Sequence, residues 1–234
     1  DLGAAVQGAD VVILATPIMA MKEVMREMAS HLRPGAVVTD TASTKAQVME
    51  WAEECLPTSV SFVGGHPMAG KEAWGIEVAE AGLFRGATYC LIPATGVSSE
   101  AVQRVAGMVE QVGARPLFLE AQEHDHLVAA VSHLPILISA ALVSATTQSP
   151  FWPQMAELAA TGYRDVTRLA SGRPEMSRDI CLSNKGAVLS WLDRFMEELQ
   201  AFKHLLDEGG GEGELEEAFF RAREARERWL RERG

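Results

Sequence analysis

The chain has few cysteines and few aromatic rings: three cysteines, two tyrosines and an aromatic share of 6% in 234 residues. Cys55, Cys90 and Cys181 lie far apart and form no Cys-x-x-Cys pair. That excludes a disulfide framework and predicts reduced thiols in a cytoplasmic protein. Basic residues are also in short supply, since 21 Lys and Arg against 32 Asp and Glu leave a formal net charge of −11. A surplus of that sign argues against nucleic acid or an anionic membrane as partner. No apolar run is expected to approach the ~20 residues of a membrane span, and the first residues do not read as a signal peptide. Missing too is the Gly-x-Gly-x-x-Gly turn that normally opens a dinucleotide-binding sheet. The chain starts at Asp1 in what reads as a helix leading into a strand. It is therefore expected either to be a fragment or to have dispensed with the phosphate-binding half.

What is present divides into two halves, residues 1–120 and 121–234. In the first, apolar runs of strand length alternate with amphipathic helices. Strands are predicted at residues 11–15 (VVILA), 36–39 (AVVT), 60–63, 87–92 (ATYCLI) and 116–119 (PLFL). Helices are predicted at residues 18–32, 44–56 and 98–112, with Ser43 or Thr44 available to cap the second. Alternation of this length predicts an open α/β sheet with right-handed crossovers, a partial Rossmann-type fold. The second half has long helical periodicities and little strand signal. Helices are expected at residues 124–147, kinked by Pro135, and at 155–170, 176–206 and 215–231, the last two parted by EGGGEG. Leu215, Ala218, Phe219 and Ala222 give the last helix an apolar stripe, and the whole half predicts a dimerisation unit.

Ligands of open α/β sheets bind beyond the carboxyl ends of the strands. Three successive strands here end in Ala15-Thr16-Pro17, in Asp40-Thr41-Ala42-Ser43-Thr44-Lys45 and in Gly64-Gly65-His66-Pro67. Thr16, Ser43 and His66 would then line one crevice. His66 is read as sitting in a turn whose flanking glycines let another molecule's ring approach the backbone. An imidazole, with an unperturbed pKa near ~6.5, is the natural proton acceptor there. Each residue alone has a plainer use, as turn hydroxyl, cap or solvated charge. His124 and His126 flank Asp125, but a helix turns those two rings to different faces, so no metal site is predicted.

In order along the chain, ATPI (15–18), DTASTK (40–45), GGHPMAGKEAWG (64–75), FRGATYCLIP (84–93), EHDHLVAAVSHLP (123–135), GYRDVTRLASGRPEM (162–176) and SRDICLSNK (177–185) resemble motifs of the prephenate/arogenate dehydrogenases of tyrosine biosynthesis. The resemblance runs from about residue 2 to residue 206. It implies hydride transfer from the substrate's carbinol carbon to NAD or NADP, with decarboxylation and aromatisation. It makes His66 the base and has Ser43 touch both His66 and the nicotinamide. Thr16, Pro17, Thr44 and Lys45 would stand with Ser43 along the cofactor. His133 would line the substrate pocket, Arg168 would hold a substrate carboxylate by paired hydrogen bonds, Glu72 would gate it, and Arg164 or Arg178 would stand in reserve. It also implies a homodimer joined through the helical half.

Two positions depart from the family pattern, Ile136 where the motif often has a second histidine and Ser177 where a tryptophan is common. Both fall on the expected substrate side, so prephenate and arogenate stay open as substrates. Two other readings stay open as well. A different β-hydroxyacid-type dehydrogenase would use a helix lysine, for which Lys185 is the candidate. A non-catalytic dimeric binding protein would keep the pocket and lack the phosphate loop.

Overall fold

Val37–Asp40 and Ser61–Pro67 are runs buried on both faces, Val11–Leu14 is an edge run with Val12 and Leu14 buried and Ile13 exposed, and the three form the parallel strands β1 (Val11–Leu14), β2 (Val37–Asp40) and β3 (Ser61–Pro67). In this computed structural model, which describes residues 1–71, 75–207 and 212–233, they belong to a five-stranded sheet of order β1-β2-β3-β4-β5. Strand β4, Thr88–Pro93, runs antiparallel to β3, and β5, Arg115–Phe118, runs parallel to β4. The expectation of crossovers throughout therefore fails at one connection. Residues 68–87 contain only a single 3-10 turn, Ile76–Val78, among those described, and without a crossover helix β4 returns antiparallel.

Helices cover both faces. Leu2–Val6 (α1), Met21–Met28 (α2) and Ala46–Cys55 (α3) lie on one side, where Met21, Met25, Met28, Val38, Val48 and Phe62 make the core. On the other, Ser99–Gln111 (α4) packs Ala101, Val105 and Val109 against Val37, Val63 and Leu91, and the Ser98 hydroxyl caps its first turn. The single helix expected at residues 18–32 is α2 flanked by 3-10 turns, Ile18–Ala20 and Ala29–His31.

The chain then turns helical: Ala121–Val128 (α5), Leu134–Thr147 (α6), Trp152–Leu158 (α7), Thr161–Thr167 (α8) and Pro174–Ser183 (α9). A 3-10 turn, Arg168–Ser171, packs on α6. The predicted kink at Pro135 is a π-helical segment, Ala129–His133, directly before α6. A proline ring offers no N–H and strikes the carbonyl four residues back, and the wider π turn takes up that misfit. The continuous run Ala121–Thr147 is by length and composition apolar enough to cross a membrane, with a mean hydropathy of 2.0 in its richest window. This corrects the expectation that no apolar run approaches the length of a span: residues 127–147 carry no Asp, Glu, Lys or Arg, and only Ser132 and His133 break the run near its start.

By packing density the structure divides into Asp1–Val188 and Leu189–Gly234. The helix Lys185–Asp207 (α10) spans that division, and Glu212–Arg233 (α11) closes the chain. In the second unit Phe202 meets Phe219 with ring centroids 5.5 Å apart, while Leu215 and Ala218 are half-buried. Ala222 is exposed, so the apolar stripe expected on this helix is covered over its first turns only.

Candidate functional site

The C-terminal ends of β1, β2 and β3 lie along one edge, with Leu14 level with Asp40 and Thr39 level with Val63. Thr16 and Pro17 are exposed just beyond β1, and Ser43 is half-buried in the loop beyond β2. His66 differs from its expected place. It sits inside β3, paired across the sheet with Cys90, because the strand continues through the glycines to Pro67. Gly64 and Gly65 have a packing reason of their own. A Cβ on Gly65 would run into the Asp40 carbonyl oxygen and lie 3.0 Å from the Tyr89 ring, and one on Gly64 would meet the Met49 sulfur at 2.9 Å. These glycines admit the neighbouring strand and the α3 side chain, which leaves no room at their Cα atoms for a ligand ring.

His66 is buried, and its Nδ1 lies 2.9 Å from His124 Nε2. Burial, then the Lys45, His124 and His133 charges, hold its pKa well below the ordinary imidazole value. It is thus neutral at physiological pH, with Nδ1 bonded to His124 and no hydrogen-bond partner for Nε2 among the described residues.

Beneath it lies an ion pair. Lys45 and Asp40 are both 0% exposed, and the Lys45 ammonium donates to Asp40 Oδ2 and, at 2.6 Å, to the Gly65 carbonyl. Asp40 also accepts from the backbone N–H of Gly65 at 2.9 Å and of Ala42 at 2.8 Å. Burial lowers the Lys45 pKa, and attraction to Asp40 and Asp125 offsets part of that. Lys45 is therefore wholly buried, its ammonium taken up by Asp40 and the Gly65 carbonyl. Thr44 is likewise buried, its hydroxyl 2.9 Å from that of Ser183 on α9.

Helix α3 is capped from a distance. Neither Ser43 nor Thr44 serves, and Lys45, at the cap position, gives no side-chain bond. Asp125 on α5 accepts from the Lys45 N–H at 2.7 Å and the Ala46 N–H at 2.9 Å. A carboxylate at a helix N-terminus is stabilising, worth about 1 kcal/mol as a cap. Here it also fastens the helical half to the sheet. Asn184, in the break between α9 and α10, donates to the Asp125 carbonyl at 2.7 Å and reaches His133 Nδ1 at 3.2 Å. His133 is buried in the π segment, and burial brings its pKa down to about 4, with the nearby Asp125 charge opposing and that of His124 adding to the fall. With Nδ1 accepting from Asn184, Nε2 carries the proton, and that buried donor has no partner in the structure.

The predicted arginines are all exposed. Arg164 is exposed and lies 3.8 Å from Asp165; Arg178 is exposed and holds Asp179 at 2.7 Å. Arg168 is exposed at the first residue of the 3-10 turn packed on α6. Ile136 and Ser177 are half-buried, Lys185 is exposed at the start of α10, and Glu72 lies outside the described residues. Of the two histidines set aside as metal ligands, His126 is exposed and His124 is buried against His66.

His124, Asp125, Asp40 and Asn184 were not among the expected site residues. For His124 and Asp125 a signal existed: with Ala121 and Val128 they share the buried face of α5 at helical spacing. Nothing local marks Asn184, whose partners are 51 and 59 residues away.

An open sheet of the Rossmann type followed by an all-α half, with a buried histidine at the strand ends, defines the class of this chain. Residues 1–117 match the model of the prephenate dehydrogenase nucleotide-binding domain, and residues 120–221 match that of the prephenate dehydrogenase dimerization domain. The chain belongs to the prephenate dehydrogenase family. It is 34% identical to the prephenate dehydrogenase of Bacillus subtilis over 88% of its own length, and spans 56% of that relative. Among solved structures, Synechocystis arogenate dehydrogenase superposes with a TM-score of 0.84 at 31% identity, covering 98% of this chain and 82% of that one. Prephenate dehydrogenase from A. aeolicus, in complex with hydroxyphenyl propionate and NAD+, gives 0.87 at 30% identity, covering 94% and 76%.

Proposed function

We propose that the protein oxidatively decarboxylates prephenate, or arogenate, to 4-hydroxyphenylpyruvate or tyrosine with NAD or NADP as hydride acceptor. The observation that carries this reading is the buried neutral His66 at the strand ends, one nitrogen fixed by protein and the other left for a substrate hydroxyl. The complex of the A. aeolicus relative with NAD+ and a hydroxyphenyl acid supports it.

The residues present fit a nicotinamide: the Thr16 and Ser43 hydroxyls and the Pro17 ring stand at the strand ends, where a carboxamide can be hydrogen-bonded and a ring flanked. When bound, the nicotinamide supplies the hydride-accepting carbon. His66 accepts the proton of the substrate's ring hydroxyl. Ser43 sets the angle between hydroxyl and imidazole. His133 offers its unpartnered Nε2–H to a substrate oxygen, and Arg168 pairs with the side-chain carboxylate. In this reading residues 1–120 form the nucleotide domain and 121–234 the helical domain, in a cytoplasmic enzyme. Lys185, exposed on α10, gains no support for the other dehydrogenase class.

The test is formation of reduced nicotinamide by the full-length protein with prephenate and with arogenate, each with NAD and NADP. Turnover in one combination is expected; none in any of them overturns the reading.

The helical half leaves large apolar side chains in water, among them Leu127, Val131, Leu158 and Val166 in the first unit. A second copy pairing through the family's dimerisation segment covers such faces, and two-fold closure is the commonest arrangement. Sedimentation of the protein at micromolar concentration is expected to give a dimer. A monomer there removes the homodimer from the proposal.

A further inference from the structure

His124 and Asp125 lie outside any contact the proposed chemistry uses, yet both are buried and both are hydrogen-bonded toward His66. The chain of bonds has a direction. Asp125 already accepts two backbone N–H groups at the start of α3, from Lys45 and Ala46, and these favour an ionised, accept-only carboxylate. His124 Nδ1, 2.8 Å from Asp125 Oδ1, must then be the donor in that bond. Taken as the neutral ring, His124 with its proton on Nδ1 has a lone pair on Nε2. His124 Nε2 therefore accepts, and His66 Nδ1, 2.9 Å away, must donate to it. The proton of His66 is thereby placed on Nδ1. The near-perpendicular rings, 71° apart with centroids separated by 5.1 Å, direct the His66 edge at the His124 nitrogen.

Building on the proposed dehydrogenase activity, we infer that Asp125 and His124 are positioning residues that fix His66 as the Nδ1–H tautomer and so keep its Nε2 as the proton acceptor. The pair does for His66 what a buried carboxylate does for the imidazole of a hydrolase triad, with a second imidazole interposed. The orientation rests on the helix α3 N-terminus, so the cap that fastens the helical half to the sheet also sets which nitrogen of His66 is basic. The other charged and titratable groups around His66 are Asp40 at the end of β2, Lys45 in the loop after it, Cys90 on β4 and His133 in the π segment. Lys45 and Asp40 bond each other and the Gly65 peptide, and Asn184 holds His133, so neither pair supplies the His66 Nδ1 partner.

The test reads the tautomer directly, by long-range proton–nitrogen correlation spectra of the full-length protein carrying ¹⁵N-histidine, with His66 assigned through His66→Gln. At neutral pH His66 is expected to show a protonated Nδ1 and a bare Nε2. A protonated Nε2, or a mixture of tautomers, overturns the inference, and the tautomer itself is read on the parent protein. Turnover gives the second arm. His124→Phe removes the acceptor and is expected to lower kcat roughly 10²-fold with KM changed less than about threefold. His124→Gln keeps an acceptor oxygen and is expected to recover most of that loss. Equal rates for the Phe and Gln variants, or a Phe variant as fast as the parent, overturn the positioning role. If the tautomer is as stated but the parent turns over neither substrate, the relay stands and the proposed activity fails. If the parent is active with the opposite tautomer, the activity stands and the relay fails.

Discussion

Replacing His66 by asparagine in the full-length protein is expected to lower kcat by roughly 10²–10⁴-fold, the usual loss when a general base is removed, while cofactor binding changes little. Asparagine retains a polar group of similar reach but cannot accept a proton near neutrality. The parent's pH profile gives the sign of the effect independently. Because burial and the Lys45, His124 and His133 charges hold the His66 pKa well below the ordinary value, the base stays competent as pH falls past ~6.5. The acid limb of kcat/KM should therefore lie below that value and vanish in the asparagine variant. Steady-state rates across pH check both statements. A variant with the parent's kcat, or an acid limb above ~6.5 in the parent, takes His66 out of the proton transfer.

How far the sequence could be read depends on the range of the interactions concerned. Continuous apolar runs and their alternation with amphipathic segments are local, and they located the five strands to within a few residues. The reversal of β4 was hidden because it depends on what the described residues between 68 and 87 lack, a crossover helix, which no strand pattern reports. The glycines before His66 read as room for a ligand, yet they make room for Asp40, Tyr89 and Met49. A glycine announces close approach without naming the visitor. Ser43 and Thr44 had the right chemistry and position to cap α3, but a charged acceptor 79 residues away took the place. Lys45 misleads for the same reason. A lysine in the first turn after a polar loop is ordinarily solvated, and only the pairing partner five residues earlier, buried at the end of β2, draws it inward. His66 was legible as a site residue from its motif, whereas its anchor, His124, becomes visible only once α5 is laid against the sheet.

Lys45→Met is expected to cost the fold about 3–5 kcal/mol, the range for breaking a buried ion pair at one end. Methionine fills a similar volume, so the loss comes from Asp40, which would remain buried with only the Gly65 and Ala42 N–H groups to hold it. The Gly65 carbonyl loses its donor as well, one residue before His66. Replacing both members, as Asp40→Leu with Lys45→Met, removes the stranded charge and is expected to be less destabilising than Lys45→Met alone, since apolar side chains can stand in for a buried pair at little net cost. Urea unfolding of the parent, the single variant and the double variant separates these terms. A single variant within ~1 kcal/mol of the parent would mean that the pair is solvated in solution. The same proteins decide whether Lys45 has the cofactor-lining place that its motif position implied. A residue that touches the nucleotide changes the cofactor KM by more than it changes stability. A buried strut one peptide from the base lowers stability first and kcat with it, leaving the cofactor KM near the parent value, and the Asp40–Lys45–Gly65 geometry predicts the second pattern.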